Sequence, residues 1–204
     1  MEYLDYYDEN GNHLGVETRE NVHSKALWHN TVHCWLYTNK GDIFFQIRQE
    51  EKTFYTTASG HVDAGETIKE GFKREIKEEI GIDVDLNKTH LVGIIPFIMD
   101  KEKKDGSIFR DRAFSNVYVC ECDDDVLFNY DENEIMGLVK VNAQQTFDLF
   151  HKGRGQIPAT IYQRENGVIV KKERDIDFNE FLVNKHETAL EKYGNILKKV
   201  IELT

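Results

Sequence analysis

The stretch GHVDAGETIKEGFKREIKEEIGI, residues 60–82, is the part of the chain that decides its fold. Its large apolar residues recur at every fourth position: Ile68, Phe72, Ile76 and Ile80. This period predicts a helix over residues 67–80 with one buried apolar stripe. Thr67 and Glu70 have the spacing of a capping box at the start of that helix, and Gly81 is a typical residue just beyond a helix end.

Three glutamates crowd the second half of this helix. Glu75 lies one helical turn before Glu78 and Glu79, and each like-charged pair at such spacing costs about 0.2–0.5 kcal/mol. Glu75 and Glu79 also lie beside the apolar stripe, where a lower dielectric strengthens the repulsion. Raised pKa values or a bound divalent cation would relieve it, and carboxylate oxygens suit Mg²⁺ or Mn²⁺. The alternative is a solvated acidic face balanced by Arg74 and the neighbouring lysines.

The residues around these glutamates resemble the signature of the Nudix hydrolase superfamily. Its specified positions are occupied here by Gly60, Glu66, Arg74, Glu75, Ile76, Glu78, Glu79, Gly81 and Ile82. The resemblance implies an α/β fold, namely an α/β/α sandwich with a mixed β-sheet that carries a loop–helix–loop catalytic motif. The fold class expected for this chain is therefore α/β, with a C-terminal extension that ends in a helix.

The resemblance also implies roles for the residues of the motif. The expected metal ligands are Glu75, Glu78, Glu79 and the carbonyl oxygen of Gly60. Arg74, paired with Glu66, is expected to orient the carboxylates. Glu75 or another of these carboxylates is expected to take the proton from an attacking water, which makes it the general base of the reaction.

Members of this superfamily cleave a nucleoside or other diphosphate that is linked to a second group, so a small diphosphate compound is the expected substrate. Arg48 and Arg112, on predicted strands, and His61, beside the metal loop, are candidates for contacts with phosphate oxygens. Ordinary ion pairs at the surface are the alternative for both arginines. A further carboxylate base outside the motif has four candidates: Glu102, Asp111, Glu132 and Glu134. A solvated acidic residue of a loop is the favoured alternative for each of them.

The first 150 residues resemble the branch of the superfamily that includes isopentenyl-diphosphate isomerase, in which three histidines and two glutamates bind a metal. Three histidines of this chain fall at or near the corresponding positions: His23, His29 and His61. Ser59 stands where the isomerase has its catalytic cysteine, and Asp111 and Ala113 stand at the two glutamate positions. Because alanine can neither donate a proton nor bind a cation, a hydrolase is favoured over an isomerase. A non-catalytic nucleotide sensor is the third alternative, and the intact motif disfavours it.

Two further groups of residues remain open. His29 and His33 are on one face of a predicted strand, where they are candidates for a second metal site or a contact with substrate phosphate. The alternative is ordinary imidazoles at the edge of the core or at the surface. Four aromatic residues are candidates either for stacking on a nucleobase or for the core: Tyr55, Phe97, Phe109 and Phe114.

The composition limits the partners of the chain. It has 204 residues, 40% of them hydrophobic and 31% charged, and a formal net charge of −11. Such an acidic surface repels phosphate backbones and anionic membranes, so neither nucleic acid nor a membrane is an expected partner. No apolar run approaches the ~20 residues that span a bilayer. Three cysteines without a paired motif, Cys34, Cys120 and Cys122, indicate a reducing compartment, and a cytoplasmic protein is expected.

The rest of the pattern predicts one Nudix domain over residues 1–155 and an extension over residues 156–204 that packs on it. Predicted strands cover residues 1–7, 27–37, 43–49, 54–62, 91–99, 109–121, 135–141, 157–163 and 168–174, with turns at 8–11 and 166–167 and a loop over 100–106. Further helices are predicted over 143–151 and 178–202, the second opened by a capping box of Asp177 and Glu180. The apolar face of the last helix is expected to pack on the same chain, and a homodimer is the alternative.

Overall fold

The computed structural model of the chain describes residues 1–49, 52–103, 105–130, 132, 135–182 and 187–204, with the backbone alone over residues 187–190. The chain divides into two compact units. Unit 1 comprises Met1–His33, Ser59–Glu75 and Gly93–Val117, and unit 2 comprises Cys34–Ala58, Ile76–Val92 and Tyr118–Thr204. The predicted division of the chain at residue 155 stays a prediction.

Unit 1 begins with a β-hairpin and a short helix. Strand β1 (Tyr3–Tyr7) pairs antiparallel with β2 (His13–Thr18) and with the start of β3 (Trp28–Thr38). Helix α1 (Arg19–Ser24) follows β2 directly, and the Thr18 hydroxyl accepts a hydrogen bond from the Asn21 N–H at its start. Strand β2 and helix α1 were not predicted, because a six-residue segment is too short to display a hydrophobic period.

The predicted motif helix is confirmed as α2 (Ile68–Ile80). The capping box forms, with the Glu70 N–H 3.3 Å from the Thr67 hydroxyl and the Thr67 N–H 2.8 Å from the Glu70 carboxylate. Three residues of the apolar stripe are buried, each no more than 1% exposed: Phe72, Ile76 and Ile80. Gly81 ends the helix with φ +77°, and a Cβ there would lie 2.7 Å from the Asn129 carbonyl oxygen, so this position requires glycine.

A long hairpin joins the motif helix to the rest of the chain. After a 3₁₀ turn at Leu86–Lys88, strand β7 (Thr89–Glu102) pairs with β8 (Ile108–Cys122), and β8 also pairs with β3. The predicted loop over 100–106 begins too early, because β7 continues to Glu102. The region predicted as one strand over 54–62 is instead two short strands, β5 (Phe54–Tyr55) and β6 (Ala58–His61).

Unit 2 is built on an antiparallel sheet with helices against it. Strand β4 (Asp42–Arg48) pairs with β9 (Ile135–Asn142), β9 with β10 (Gln156–Glu165), and β10 with β11 (Val168–Asp177). Helix α3 (Ala143–Lys152) contacts β9, β10 and the C-terminal helix α4 (Glu187–Leu203). The predicted turn at residues 166–167 is present, with φ +51° and +81°. The expected α/β fold with a C-terminal helix is confirmed.

The start of the last helix was predicted wrongly. The capping box of Asp177 and Glu180 forms, but it caps a 3₁₀ turn over Phe178–Glu180. Phe181 is extended, with φ −84° and ψ 139°, and forms a parallel bridge with Phe54. Its ring lies 5.0–5.1 Å from the rings of Phe45, Phe54 and Phe150. The predicted helix is interrupted here because burial of Phe181 among three other phenylalanines outweighs the small helical preference of the local sequence.

We expect Phe181→Ala to lower the free energy of unfolding by about 3–5 kcal/mol, because it leaves a cavity among aromatic rings at a residue that is 0% exposed. Leu127→Ala is the control, because Leu127 is 87% exposed in the same unit. Urea unfolding followed by circular dichroism measures both. Equal stability of the two variants would contradict the placement of the extension.

Candidate active site

Arg74 is the centre of the motif. Its Nε donates a 2.8 Å hydrogen bond to Glu66 Oε1, and its Nη2 donates a 2.8 Å hydrogen bond to Glu66 Oε2. Its Nη1 donates a 2.7 Å bond to Glu75 Oε1. Nη2 also lies 2.9 Å from the carbonyl oxygen of His61. A bidentate pair fixes the relative orientation of the guanidinium and carboxylate planes. Because Arg74 also binds Glu75, it connects Glu66, in the loop before α2, to the Glu75 carboxylate.

These contacts shift the ionisation of both partners. The hydrogen bond from Arg74 lowers the pKa of Glu66, and the hydrogen bond to Glu66 raises the pKa of Arg74. The Asp63 N–H donates a 3.0 Å bond to Glu66 Oε2 as well. Glu66 is therefore held as a carboxylate at neutral pH and closes the loop between Asp63 and Arg74.

Gly60 packs directly against the carboxylate of Glu75. A Cβ on residue 60 would lie 2.0 Å from Cδ and from Oε2 of Glu75, far inside any permitted contact. The Glu75 carboxylate can therefore lie against this backbone only because residue 60 has no side chain.

The other two motif glutamates differ in exposure. Glu78 is exposed on α2 and Glu79 is half-buried, whereas the Glu75 side chain is 15% exposed. Ile76 and Ile80, on the same helix, are buried. These exposures agree with the prediction that Glu75 and Glu79 lie beside the apolar stripe of the helix. The metal-binding roles of the three glutamates stay predictions.

Three histidines from separate elements of unit 1 meet in one cluster. His23 of α1, His29 of β3 and His61 of β6 each offer a ring nitrogen, and these nitrogens lie within 4.8 Å of one another. His23 and His29 are 4% and 0% exposed. The residues that the isomerase-like resemblance selected are thus brought together, whereas His33, although buried, is not part of this group of three.

The hydrogen bonds of the cluster fix its tautomers. His23 Nδ1 lies 2.8 Å from the Arg19 carbonyl oxygen and His29 Nδ1 lies 3.2 Å from the Leu27 carbonyl oxygen. Since a carbonyl only accepts, each Nδ1 carries the hydrogen and each Nε2 carries a lone pair. Within the described residues neither Nε2 has a hydrogen-bond partner. The cluster therefore contains two buried nitrogens with unused lone pairs.

Two carboxylates border the histidines. Asp111 Oδ1 of β8 lies 3.5 Å from His29 Nε2, is buried, and has no hydrogen-bond partner in the described part of the chain. Glu2 Oε1 lies 3.2 Å from His61 Nδ1. Imidazole nitrogens oriented by backbone carbonyls or carboxylates are the usual arrangement around a metal ion, so these residues fit a cation.

Burial shifts the titration of the cluster. Desolvation lowers the pKa of His23 to about 4 and that of His29 to about 3, and it raises the pKa of Asp111. Both histidines are neutral at pH 7, which is the form that ligates metals.

A cavity of about 550 Å³ opens beside His23 in unit 1. Arg19, Lys103 and Phe109 contribute to its wall, and the Phe109 ring stacks on the His23 ring at 4.4 Å. Its size is that of a small-molecule site. Of the aromatic candidates, Phe109 is thus at the cluster, whereas Phe114 stacks on Trp28 at 4.7 Å.

The predicted phosphate-binding arginines already have contacts. Arg112 Nη1 lies 2.7 Å from Asp100 Oδ1, and because neighbouring strand residues face opposite sides, Arg112 points away from the cluster that Asp111 joins. The Arg48 guanidinium lies over the Tyr55 ring at 5.1 Å. Phosphate binding by either arginine stays a prediction.

The remaining candidates for an extra base are distributed over the chain. Glu102 is an exposed residue at the end of β7, and Glu132 is exposed and lies 3.0 Å from Arg164 Nε. Glu134 lies outside the described residues. Asp111 is the candidate that the structure brings to the histidine cluster.

Sequence reasoning missed Glu2 and Arg19, which border the cluster and its cavity. Both are charged residues outside any motif. The bridge between β1 and the motif loop would have revealed Glu2, but a contact between segments distant in the sequence has no local signal.

Comparison with known proteins identifies the family of this chain. A sequence model of the NUDIX domain matches residues 27–160. An uncharacterized Nudix hydrolase of Clostridium acetobutylicum is 33% identical over 153 residues, which is 71% of this chain and 71% of that protein. The chain therefore belongs to the Nudix family, and the predicted enzyme class, a Nudix hydrolase, is confirmed.

Two further similarities bear on the fold and on the branch. The crystal structure of DR0079 from Deinococcus radiodurans has a TM-score of 0.54 at 21% identity, over 74% of this chain and 90% of that one, which supports the fold. Isopentenyl-diphosphate Delta-isomerase 2 of Photorhabdus laumondii is 24% identical over 136 residues, 64% of this chain and 73% of that protein. The isomerase-like branch is thus only weakly indicated. Among the described helices, none combines the length and apolar character required to cross a bilayer.

We expect Gly60→Ala to destabilise the protein by about 1–3 kcal/mol, because the new methyl group overlaps the Glu75 carboxylate and pushes it from Arg74. Gly93→Ala is the control, because a methyl group on residue 93 would have no described atom within 4 Å. Urea unfolding of Gly60→Ala, Glu75→Ala and the double variant measures the coupling. Purely additive effects would contradict the contact between Gly60 and Glu75.

Proposed function

We propose that this Nudix hydrolase is a divalent-metal-dependent pyrophosphohydrolase. Its substrate class is a nucleoside diphosphate, or a small organic diphosphate, linked to a second group. The observation that carries the proposal is the Arg74 contact that holds the Glu75 carboxylate against Gly60, next to the acidic second half of α2.

The motif residues fit a hard cation. Glu75, Glu78, Glu79 and the Gly60 carbonyl offer oxygen donors alone, which suit Mg²⁺ or Mn²⁺. Such an ion, when bound, neutralises phosphate oxygens and lowers the pKa of water. Without it, an acidic helix in a chain of net charge −11 would repel a diphosphate.

The chain's own residues then position the reactants. Arg74 binds Oε1 of Glu75, and the other oxygen of that carboxylate, Oε2, lies against Gly60. A carboxylate of α2 takes one proton from water as the water oxygen bonds to phosphorus. The bond from that phosphorus to the bridging oxygen breaks, and the two phosphate-containing products leave.

We further propose that the histidine cluster holds a second divalent cation, with His23, His29, His61 and Asp111 as ligands. The alternative, a contact with substrate phosphate, pairs acceptors with acceptors, because both orphaned Nε2 atoms carry lone pairs. Imidazole ligands favour Zn²⁺ or another first-row transition ion over Mg²⁺.

The isomerase alternative lacks a residue for its chemistry. Ala113 is buried at 1% exposure and has no group that exchanges a proton, and Ser59 replaces a thiol. Cytoplasmic localisation and a possible homodimer remain predictions from the sequence.

We expect purified protein with Mg²⁺ or Mn²⁺ to hydrolyse at least one member of a panel of nucleoside and organic diphosphate conjugates. Products formed in water enriched in oxygen-18 carry the label on one phosphorus. Double-bond migration in isopentenyl diphosphate without phosphate release would support the isomerase, and binding without turnover would support a sensor.

Glu78→Gln tests the site itself. We expect kcat to fall by about 10²–10⁴-fold, because a carboxylate next to the reaction is lost. Glu70→Gln in the same helix is the matched control, since glutamine preserves the capping box with Thr67. Equal rates for both variants would remove Glu78 from the reaction.

Metal analysis tests the histidine cluster. We expect about one equivalent of a transition ion in wild-type protein titrated with Zn²⁺ or Co²⁺, and loss of that equivalent in His29→Asn. His90→Asn, at an exposed histidine of β7, should retain it. The Co²⁺ absorption spectrum of wild-type protein reports nitrogen-rich, four-coordinate geometry without a variant. A spectrum of hydrated Co²⁺ alone would contradict the site.

A further inference from the structure

Strand β1 is joined to the catalytic loop, residues 61–66, although it precedes the residues that the family match covers. Three contacts come from β1: a 2.8 Å bond from the Ala64 N–H to the Tyr3 carbonyl, a bridge between Leu4 and Asp63, and a 2.9 Å bond from the Gly65 N–H to Asp5 Oδ2. The residue before the strand, Glu2, adds the 3.2 Å pair with His61. The loop is therefore held along its length by the first strand.

Asp5 is the residue of β1 whose side chain holds the loop backbone. Its Oδ2 accepts from the Gly65 N–H, and its Oδ1 lies 2.8 Å from His13 Nε2. With a partner on each oxygen, the carboxylate has one orientation. Gly65 has φ +83°, a conformation that glycine adopts without strain. This backbone conformation sets the direction in which the Gly65 N–H points.

The contact continues from Gly65 to the catalytic carboxylate. The Glu66 N–H donates to the Asp63 carbonyl at 3.0 Å, which closes the turn that contains Gly65. Glu66 then binds both Nε and Nη2 of Arg74, and Arg74 binds Glu75. Each link is a hydrogen bond between neighbours, so a shift of the turn moves the carboxylate pair that orients Glu75.

We propose that Asp5 is a positioning residue of this enzyme, which acts on Glu75 through Gly65, Glu66 and Arg74. This inference rests on the proposed function. Pairing of β1 with β2 and β3 holds the strand through backbone bonds that do not involve the Asp5 side chain. The Asp5 carboxylate also contacts His13 of β2, but the backbone pairing of β1 does not need it, and its contact outside the hairpin is with the loop.

The expected effect is on turnover. Asp5→Ala removes the acceptor of the Gly65 N–H, and kcat falls by about 10–100-fold while KM changes less than about 3-fold, because small misplacements of catalytic groups cost rate. Asp5→Asn keeps an oxygen for Gly65 and restores kcat to within about 3-fold of wild type. Asp8→Ala is the matched control: Asp8 also accepts backbone N–H groups, at 2.8–2.9 Å, but from Asn10 and Asn12 in its own turn.

A second readout needs no substrate. Hydrogen–deuterium exchange of the peptide that contains residues 60–66 speeds up in Asp5→Ala and stays at the wild-type rate in Asp5→Asn and Asp8→Ala. If wild-type protein hydrolyses nothing, the proposed function fails while this exchange still decides whether Asp5 holds the loop.

Three results would overturn the inference. Asp5→Ala could match Asp8→Ala in both kcat and exchange, which removes the link to the loop. Asp5→Asn could be as slow as Asp5→Ala, which makes the charge and not the acceptor geometry decisive. Loss of the cooperative unfolding transition in Asp5→Ala also overturns it, because the side chain would then hold the fold.

Discussion

The Arg74 guanidinium is the constraint on which the site depends. It binds both oxygens of Glu66, one oxygen of Glu75 and the carbonyl of His61 at 2.7–2.9 Å. The like charges on α2 are therefore partly neutralised by the protein itself. Electrostatic repulsion between these glutamates therefore does not by itself require a cation. The oxygen-only donor set and the family to which the chain belongs are what favour one.

Gly60 and His61 connect the acidic motif to the histidine cluster. Gly60 leaves space for the Glu75 carboxylate, His61 joins His23 and His29, and the His61 carbonyl accepts from Arg74. Since the two residues are adjacent in the chain, a movement of this backbone displaces the acidic motif and the histidines together. The first strand, which contacts the same loop, therefore bears on both.

Elements with local signals were predictable from the sequence. Helix α2 has its period, its capping box and its terminal glycine within one stretch, and the hairpin turn at residues 166–167 has its own residue types. Helix α1 and strand β2 are too short for a period. Phe181 was misassigned because its extended conformation comes from packing against Phe54 and Phe150, far away in the sequence. A local pattern has no information on such a partner.

The same division applies to the site. The Glu66–Arg74–Glu75 arrangement was predictable because the three residues belong to one motif, and the structure adds their geometry. Asp111 was one of four acidic candidates, and the pairing of β8 with β3 is what brings it to His29. Ala113, two residues further along β8, has no ligand atom to offer. Three imidazoles and one carboxylate suit a four-coordinate ion better than the higher coordination that Mg²⁺ requires, so the two clusters differ in the cations they favour.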